Sequence, residues 1–369
     1  MKVCVSLRDP ADTDLRKGNF RTEPRWERLA LEACVSNPEI TEIYTLGYDW
    51  RGGCSVTSKY KGVLRSSPTD CVLLMQDWNH STINSHRFKA AVVNIFHGPW
   101  IEQKAEIDNV RAKLNNNVFF VLGHPTLYED IALKRTGSKM SELVSIERIL
   151  SLPVPWVPES RYQDRFEIKN LLFAARLITV SQMGTFSQLL WALESLLADT
   201  SLHLTILNGW KPGEAKDLVA GKMVPVADDI TNHFWQLEKF KPYQSVRDRV
   251  KIRSGLDWSE VLEENAKAKL LLTSSNYGGS PMEAAMHGLP FVGIPLPHWT
   301  FRAGSMVSCP GFLWTESVEE MNATLSRLLT DRDFYTETAL KYHDYAMETY
   351  SFDAFNNNLN QLLKSHGVI

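Results

Sequence analysis

The sequence predicts an α/β protein of two doubly wound, parallel-sheet domains in series, facing each other across a cleft. Three observations predict it. Short β-rich apolar runs alternate with helical patterns over most of the chain, as expected of strands joined by crossover helices. A stretch from about 150 to 170, "LSLPVPWVPESRYQDRFEIKN", holds three prolines and little periodicity, and it interrupts the alternation. The length, 369 residues, exceeds what one ordinary core accommodates.

The elements follow in order. "KVCVSL" is a first strand, cut off by charges and a proline, and is not a signal peptide. "RWERLALEACVS" has the spacing of an amphipathic helix, and "EIYTL" follows as a strand. "DCVLLMQD", "AAVVNIFHGPW" and "VFFVLGHP" are β-rich runs ending in polar, Gly or Pro residues. In doubly wound sheets, ligands sit outside the carboxyl ends of strands. Asp77, Trp78, His97, Gly98 and His124 each follow such a run and are candidates for a cleft wall. After the proline-rich stretch, "LLFAARL", "LHLTILNGW", "VKIRSGL", "KLLLTSS" and "PFVGIPL" read as strands. "TFSQLLWALESLLAD", "WSEVLEENAKA" and "SPMEAAMHG" read as the helices between them. Residues 318–350 read as helices, and "FDAFNNNLNQLLKSHG" as a last one, stopped by Lys364 and Gly367.

Composition narrows the function classes. Hydrophobic residues make up 44% and charged residues 22%, which is globular composition. A net charge of −3 argues against a general polyanion-binding surface. The five cysteines are scattered, without Cys-x-x-Cys, and read as reduced thiols of a cytoplasmic protein. No apolar run approaches the ~20 residues that span a bilayer; peripheral membrane contact stays open. "VADDIT" and "TDRDF", with Asp331 and Asp333, read as turn or cap residues, and no metal is expected.

The second half resembles the donor-binding domain of GT-B glycosyltransferases, most like the retaining family four. The residues that carry this are "NLLFAARL", "LLWALESLL", "LHLTILNGW", "VKIRSGLDWSEVLEENAKAKLLLTSS" and "GGSPMEAAMHGLPFVGIPL". In the first half, "TDCVLLMQDWN", "AAVVNIFHGPW" and "NVFFVLGHPTLYEDI" are similar in the expected order. "FDAFNNNLNQLL" resembles the family's closing helix. The resemblance implies two Rossmann-like domains, 1–155 on the acceptor side and 156–340 for the nucleotide sugar. Residues 341–369 would then pack back toward the N-terminal domain. The implied enzyme is of hexosyltransferase type. It moves a sugar from a nucleotide diphosphate sugar, UDP- or GDP-linked, to an acceptor hydroxyl, retaining configuration and needing no metal or other cofactor. The acceptor could be a glycan, a natural product, a modified nucleic-acid base or a protein. Two other readings stand beside it: a nucleotide-sugar epimerase of the same fold, and a catalytically weak sugar-nucleotide or glycan-binding module.

The sequence also departs from the family. Family four carries two glutamates separated by seven residues; Glu283 matches the second, and the first falls at Ser275. The usual Lys-Gly after the first donor-domain strand is Met183-Gly184. The double glycine is also similar to the inverting family one, whose loop carries His-Gly-Gly, but here Tyr277 precedes the glycines. These residues are compatible with retention and with inversion.

Gly278 and Gly279 suit a diphosphate, because glycine lets backbone N–H groups approach closely. The helix behind them, from Ser280, aims its positive end the same way. Two readings of Glu283 stand. With Ser280 as N-cap and Pro281 next, it completes a capping box; the resemblance instead has its carboxylate hold the donor ribose. The resemblance also implies that Arg176 contacts the diphosphate and stabilises departing charge, and that Gly255 and Leu256 frame the base. Asn208, Gly209 and Trp210 end a strand and are candidates for the lining of the nucleotide pocket, a packed loop aromatic being the other reading of Trp210. In the related enzymes a histidine after this strand lies near the reacting carbon; the resemblance gives that place to His97, as a base if the reaction inverts and as a positioning group if it retains, a satisfied loop histidine being the other reading. Asp77 and His124 are acceptor-side candidates; Lys17, Gly18 and Asn19 occupy the place of the family's acceptor and phosphate loop, but "DLRKGNFR" lacks its double glycine and reads also as an ordinary polar loop.

Overall fold

The computed structural model describes residues 1–7, 25–47, 58–65, 70–76, 88–94, 118–122, 149–151, 161–174, 186–208, 216–219, 222–225, 230–254, 256, 258–273, 279–293 and 312–369. The chain divides into two units. One takes the described residues up to 151 together with 347–369, and the other takes 161–346.

In the first unit the apolar runs become β1 (Lys2–Ser6), β2 (Glu42–Leu46), β3 (Tyr60–Val63), β4 (Cys71–Gln76), β5 (Ala90–Asn94), β6 (Val118–Leu122) and β7 (Ile149–Ser151). All pairs are parallel, in the order β3-β2-β1-β4-β5-β6-β7. The reason lies in the runs themselves. Val3, Cys4 and Val5 of β1 and Cys71 to Met75 of β4 are buried on both faces, and parallel strands covered on both faces read as unbroken apolar sequence. Helix α1 (Arg25–Ser36) turns Leu29, Ala30, Ala33 and Cys34 into the core. Two strands lie outside the sequence expectation. "YKGV" is too polar and too short to signal β3, and β7 falls at the start of the proline-rich stretch, where pairing with β6 (Phe120 beside Ile149) makes it a strand.

The second unit is built on β8 (Asn170–Ala174), β9 (His203–Asn208), β12 (Val250–Ser254) and β13 (Leu270–Thr273). They are parallel, in the order β12-β9-β8-β13. Between β9 and β12 come an antiparallel hairpin, β10 (Lys216–Val219) and β11 (Lys222–Pro225), helix α3 (Ile230–Gln236) and a 3-10 helix, Glu238–Arg249. Helix α2 (Phe186–Ala198) lies between β8 and β9; its Leu189, Trp191, Ala192, Leu193 and Leu196 join Leu171, Phe173, Leu204, Ile206 and Leu272 in one core. Arg249 closes the end of α2, its guanidinium donating to the carbonyls of Leu196 (2.6 Å), Asp199 (2.9 Å) and Leu202 (3.2 Å). Such donors satisfy carbonyls that a helix end leaves open. Helices α4 (Trp258–Ala266) and α5 (Gly279–Met286) flank β13. A short parallel pair, β14 (Val292–Gly293) and β15 (Leu313–Trp314), precedes α6 (Val318–Thr330) and α7 (Arg332–Tyr350). Asp331 is the cap residue that the sequence suggests: it accepts from Phe334 N at 3.0 Å at the start of α7.

The last helix, α8 (Phe352–Ser365), belongs to the first unit and buries Phe355, Leu359, Leu362 and Leu363. Its run of asparagines, poor helix formers, has a packing reason. Asn356 Nδ2 donates to Ala33 O (2.8 Å) and Ser36 Oγ (3.2 Å) at the end of α1, and Asn360 exchanges hydrogen bonds with the buried Asn37 (3.1 and 3.2 Å). Lys59 Nζ adds donors to Val35 O (3.0 Å) and Asn37 O (2.8 Å). Carboxamides and one ammonium group therefore terminate α1 and fasten α8 to it.

Candidate nucleotide-binding site

The strand order of the second unit reverses between β8 and β13. From β8 the chain moves outward to β9 and β12, then crosses to β13 on the other side of β8. In open α/β sheets the crevice at such a reversal, at the carboxyl ends of the strands, is where ligands bind. β8 ends at Ala174, two residues before Arg176 in the sequence; β13 ends at Thr273, and α5 begins at Gly279. Topology thus brings the ends of β8 and β13 together at one sheet edge. In the first unit the reversal lies between β1, which ends at Ser6, and β4, which ends at Gln76 just before Asp77.

Several candidates lie outside the described residues: Lys17, Gly18, Asn19, Asp77, His97, His124, Arg176, Gly209, Gly255, Tyr277 and Gly278. Among the others, Asn208 is the last residue of β9 and stands in register with Ser254 of β12. Leu256 is buried. Gly279 opens α5, so Ser280 and Pro281 are already helical and Glu283 is the fifth residue of the helix. The capping box needs Ser280 just ahead of the helix and the glutamate in its first turn. The cap reading of Glu283 is therefore corrected: its carboxylate is two positions too deep, and it is fully buried. An ionisable group held inside this way needs compensation from polar neighbours or a ligand.

Four residues after Glu283, just past the end of α5, His287 enters a polar cluster that sequence reading missed. Gly288 follows with φ +66°, and a Cβ there would stand 2.7 Å from Tyr162 Cδ2. Tyr162 meets the ring of His343 at 6.1 Å, and Arg165, itself buried, donates from Nη1 to Asn265 O at 2.8 Å. Burial first, then the charges of Arg165 and His343, push the His287 imidazole down to about 4. The turn behind α5 is thus closed by residues 162–165, at the start of the second unit. The one signal in the sequence was the four-residue spacing of Glu283 and His287.

A groove of about 700 Å³ lies elsewhere, between the end of α1 and α8, lined by Ser36, Glu39, Asn356, Asn360 and Lys364 among others. It opens at the amino-terminal edge of the strands, since Ser36 and Glu39 precede β2. Its polar lining is engaged internally, as in the 2.8 Å Lys364–Glu39 ion pair. Among the described residues no group of three His, Cys, Asp or Glu is placed to hold a metal, and no helix is long and apolar enough to cross a membrane.

No family model matches the sequence, and no curated protein is significantly similar to it. Solved structures are similar in fold. Sucrose-phosphate synthase from Thermosynechococcus elongatus superposes with a TM-score of 0.58 at 11% identity, over 100% of this chain and 99% of that one. Anabaena Alr3699/HepE in complex with UDP-glucose gives 0.56 at 11% identity, over 99% and 100%. TarM matches at 0.46 and 14% identity over 80% of this chain, which spans only 55% of the TarM chain. The two whole-length likenesses, with the two parallel sheets, establish the fold: two Rossmann-like α/β units in one chain, the GT-B class.

Proposed function

We propose that the protein is a glycosyltransferase that binds a nucleotide diphosphate sugar on its second unit and transfers the sugar to an acceptor hydroxyl. The observation that carries this is the strand reversal between β8 and β13. β8, which ends two residues before Arg176 in the sequence, pairs with β13, which α5 and its buried Glu283 follow. The diphosphate would take charge-assisted bonds from Arg176 and from N–H groups at the start of α5. Those groups would also stabilise the charge that develops as the diphosphate departs. Glu283 would accept from the ribose hydroxyls. Uridine is the first base to test, because HepE, similar over its whole length, is described with UDP-glucose.

The acceptor is proposed to bind at the strand ends of the first unit, with His97, Asp77 and His124 as candidate contacts. Retention of configuration and independence of metal are part of the same proposal and come with the sequence resemblance. Anomeric analysis of the product by NMR tests the first, and activity after chelation tests the second.

The decisive experiment is calorimetric titration of the full chain with UDP, GDP, ADP and dTDP. An acceptor-free turnover assay with the matching nucleotide sugar follows. Binding of one diphosphate and slow release of free sugar support the reading. Glu283→Ala should weaken that binding by about 10- to 100-fold, the size of a lost hydrogen bond to a charged group. A chain that binds none of the four nucleotides refutes the proposal, and interconversion of the sugar without transfer would make the protein an epimerase.

A further inference from the structure

A group of buried polar side chains gathers at the amino-terminal edge of the second sheet. Arg165 stands five residues ahead of β8; Asn265, in the last turn of α4, stands five ahead of β13. The two strands start side by side there, Lys269 N donating to Asn170 O at 2.8 Å. The nucleotide is proposed at the opposite edge, where the same strands end. Arg165 Nη1 donates to Asn265 O at 2.8 Å. Tyr162 lies against Gly288, and His287, the residue before it, feels the charge of Arg165. Arg165 Nε, Asn265 Nδ2, Tyr162 Oη and His287 Nε2 are all closed from solvent, and none has a hydrogen-bond partner among the described residues. Arg165 is 3% exposed and Asn265 2%.

The charge here is as unbalanced as the hydrogen bonding. A buried guanidinium keeps its proton, and an unpaired charge in the interior is costly. Among the described residues no carboxylate stands within ion-pair reach of Arg165; its neighbours Asp164 and Glu167 are exposed and pair with Arg332, at 2.8 Å each. The end of α4 offsets only part of the charge, since a helix C-terminus carries about half a unit. At the end of α5 the carbonyls of Ala284 and Ala285 are already engaged by the N–H groups of His287, Gly288 and Leu289. The unpartnered groups of Arg165 and Asn265 are N–H donors, and Tyr162 and a neutral His287 can each donate one more. Donors gathered around a buried cation, with no acceptor among them to match its charge, suit an anion. Their closure from solvent requires it to be small. We propose that Arg165, Asn265, Tyr162 and His287 bind a single halide ion of chloride size, which pins the first residues of the second unit to the ends of α4 and α5. The site stands independently of the proposed nucleotide site.

The test uses the full chain at neutral pH, prepared free of halide. Thermal melting is compared in sodium gluconate, chloride and bromide at one ionic strength. Chloride and bromide should raise the melting temperature over gluconate by about 2–4 °C once present at roughly five times the Kd. Crystals of the wild-type chain soaked in bromide should show an anomalous peak in contact with Arg165 Nε and Asn265 Nδ2. Asn265→Asp puts a carboxylate beside Arg165 in place of the amide, supplying the negative charge from the chain itself. It should melt at the same temperature in all three salts and show no bromide peak. A bromide soak that leaves only water among the four groups, without an anomalous peak, overturns the proposal. A halide response that Asn265→Asp retains in full overturns it too. A bromide peak with no halide effect on melting marks an adventitious ion only, and overturns the pinning role.

Discussion

Acidification should weaken the second unit through a single histidine. His287 lies at the end of α5, with Arg165 and His343 facing it, and its imidazole is pushed down to about 4 from an ordinary 6.5. The folded state therefore keeps His287 neutral over a range in which the unfolded chain protonates it. Stability from this source is complete above pH 6.5 and is lost as pH falls toward 4. Each pKa unit corresponds to about 1.4 kcal/mol, so the loss is about 2 kcal/mol at pH 5 and about 3 kcal/mol at pH 4. The measurement is urea unfolding at pH 7 and pH 5, read by amide exchange in β8 and β13, which report the second unit. Ordinary carboxylates have only begun to titrate at pH 5, so the histidine contribution stands out. His287→Leu keeps an apolar group of similar bulk and removes the titration. Its stability should change between pH 7 and pH 5 by about 2 kcal/mol less than that of wild type. Equal changes in the two proteins would show that His287 is not held neutral, and the buried cluster around Arg165 would need another description.

Two further perturbations test the packing around the site and the closing helix. Gly288→Ala forces a side chain into a left-handed backbone position and against the Tyr162 ring; a cost of about 2 kcal/mol or more is expected in denaturant titration, and an unchanged midpoint would refute the close approach. Asn356→Leu removes two donors from the end of α1 and one acceptor from buried Asn37; a loss of about 1–3 kcal/mol should appear with faster exchange in α1 and α8, and retained protection in both helices would refute the amide lock.

Much of the architecture was legible in the sequence because its signals are local. α1 coincides with the run "RWERLALEACVS", and β1, β4, β8 and β13 sit inside the apolar runs expected to form them. For the candidate site the sequence offered residue types, at Arg176 and at Gly279, and the strand order adds that β8 and β13, which precede them, end side by side. The N-cap reading of Ser280 was equally local and did not hold. The helix starts at Gly279, two residues before the Pro281 start that this cap requires, and burial of Glu283 depends on what packs against α5. The ion pairs of Arg253 in β12 with Glu260 and Glu264 in α4 gave no signal in the sequence, since the partners lie 7 and 11 residues onward on another element.

By itself the sequence determined that this chain forms two α/β halves, because the period of apolar residues is a property of each short segment. Tertiary structure alone decided that β12 lies outside β9 and β13 lies across β8. It made β3 and β7 strands by giving them partners. It closed the turn after α5 with Tyr162, a residue 126 positions before Gly288. These outcomes depend on pairing and burial between distant segments, which are settled by how the whole sheet packs and by no single stretch of sequence.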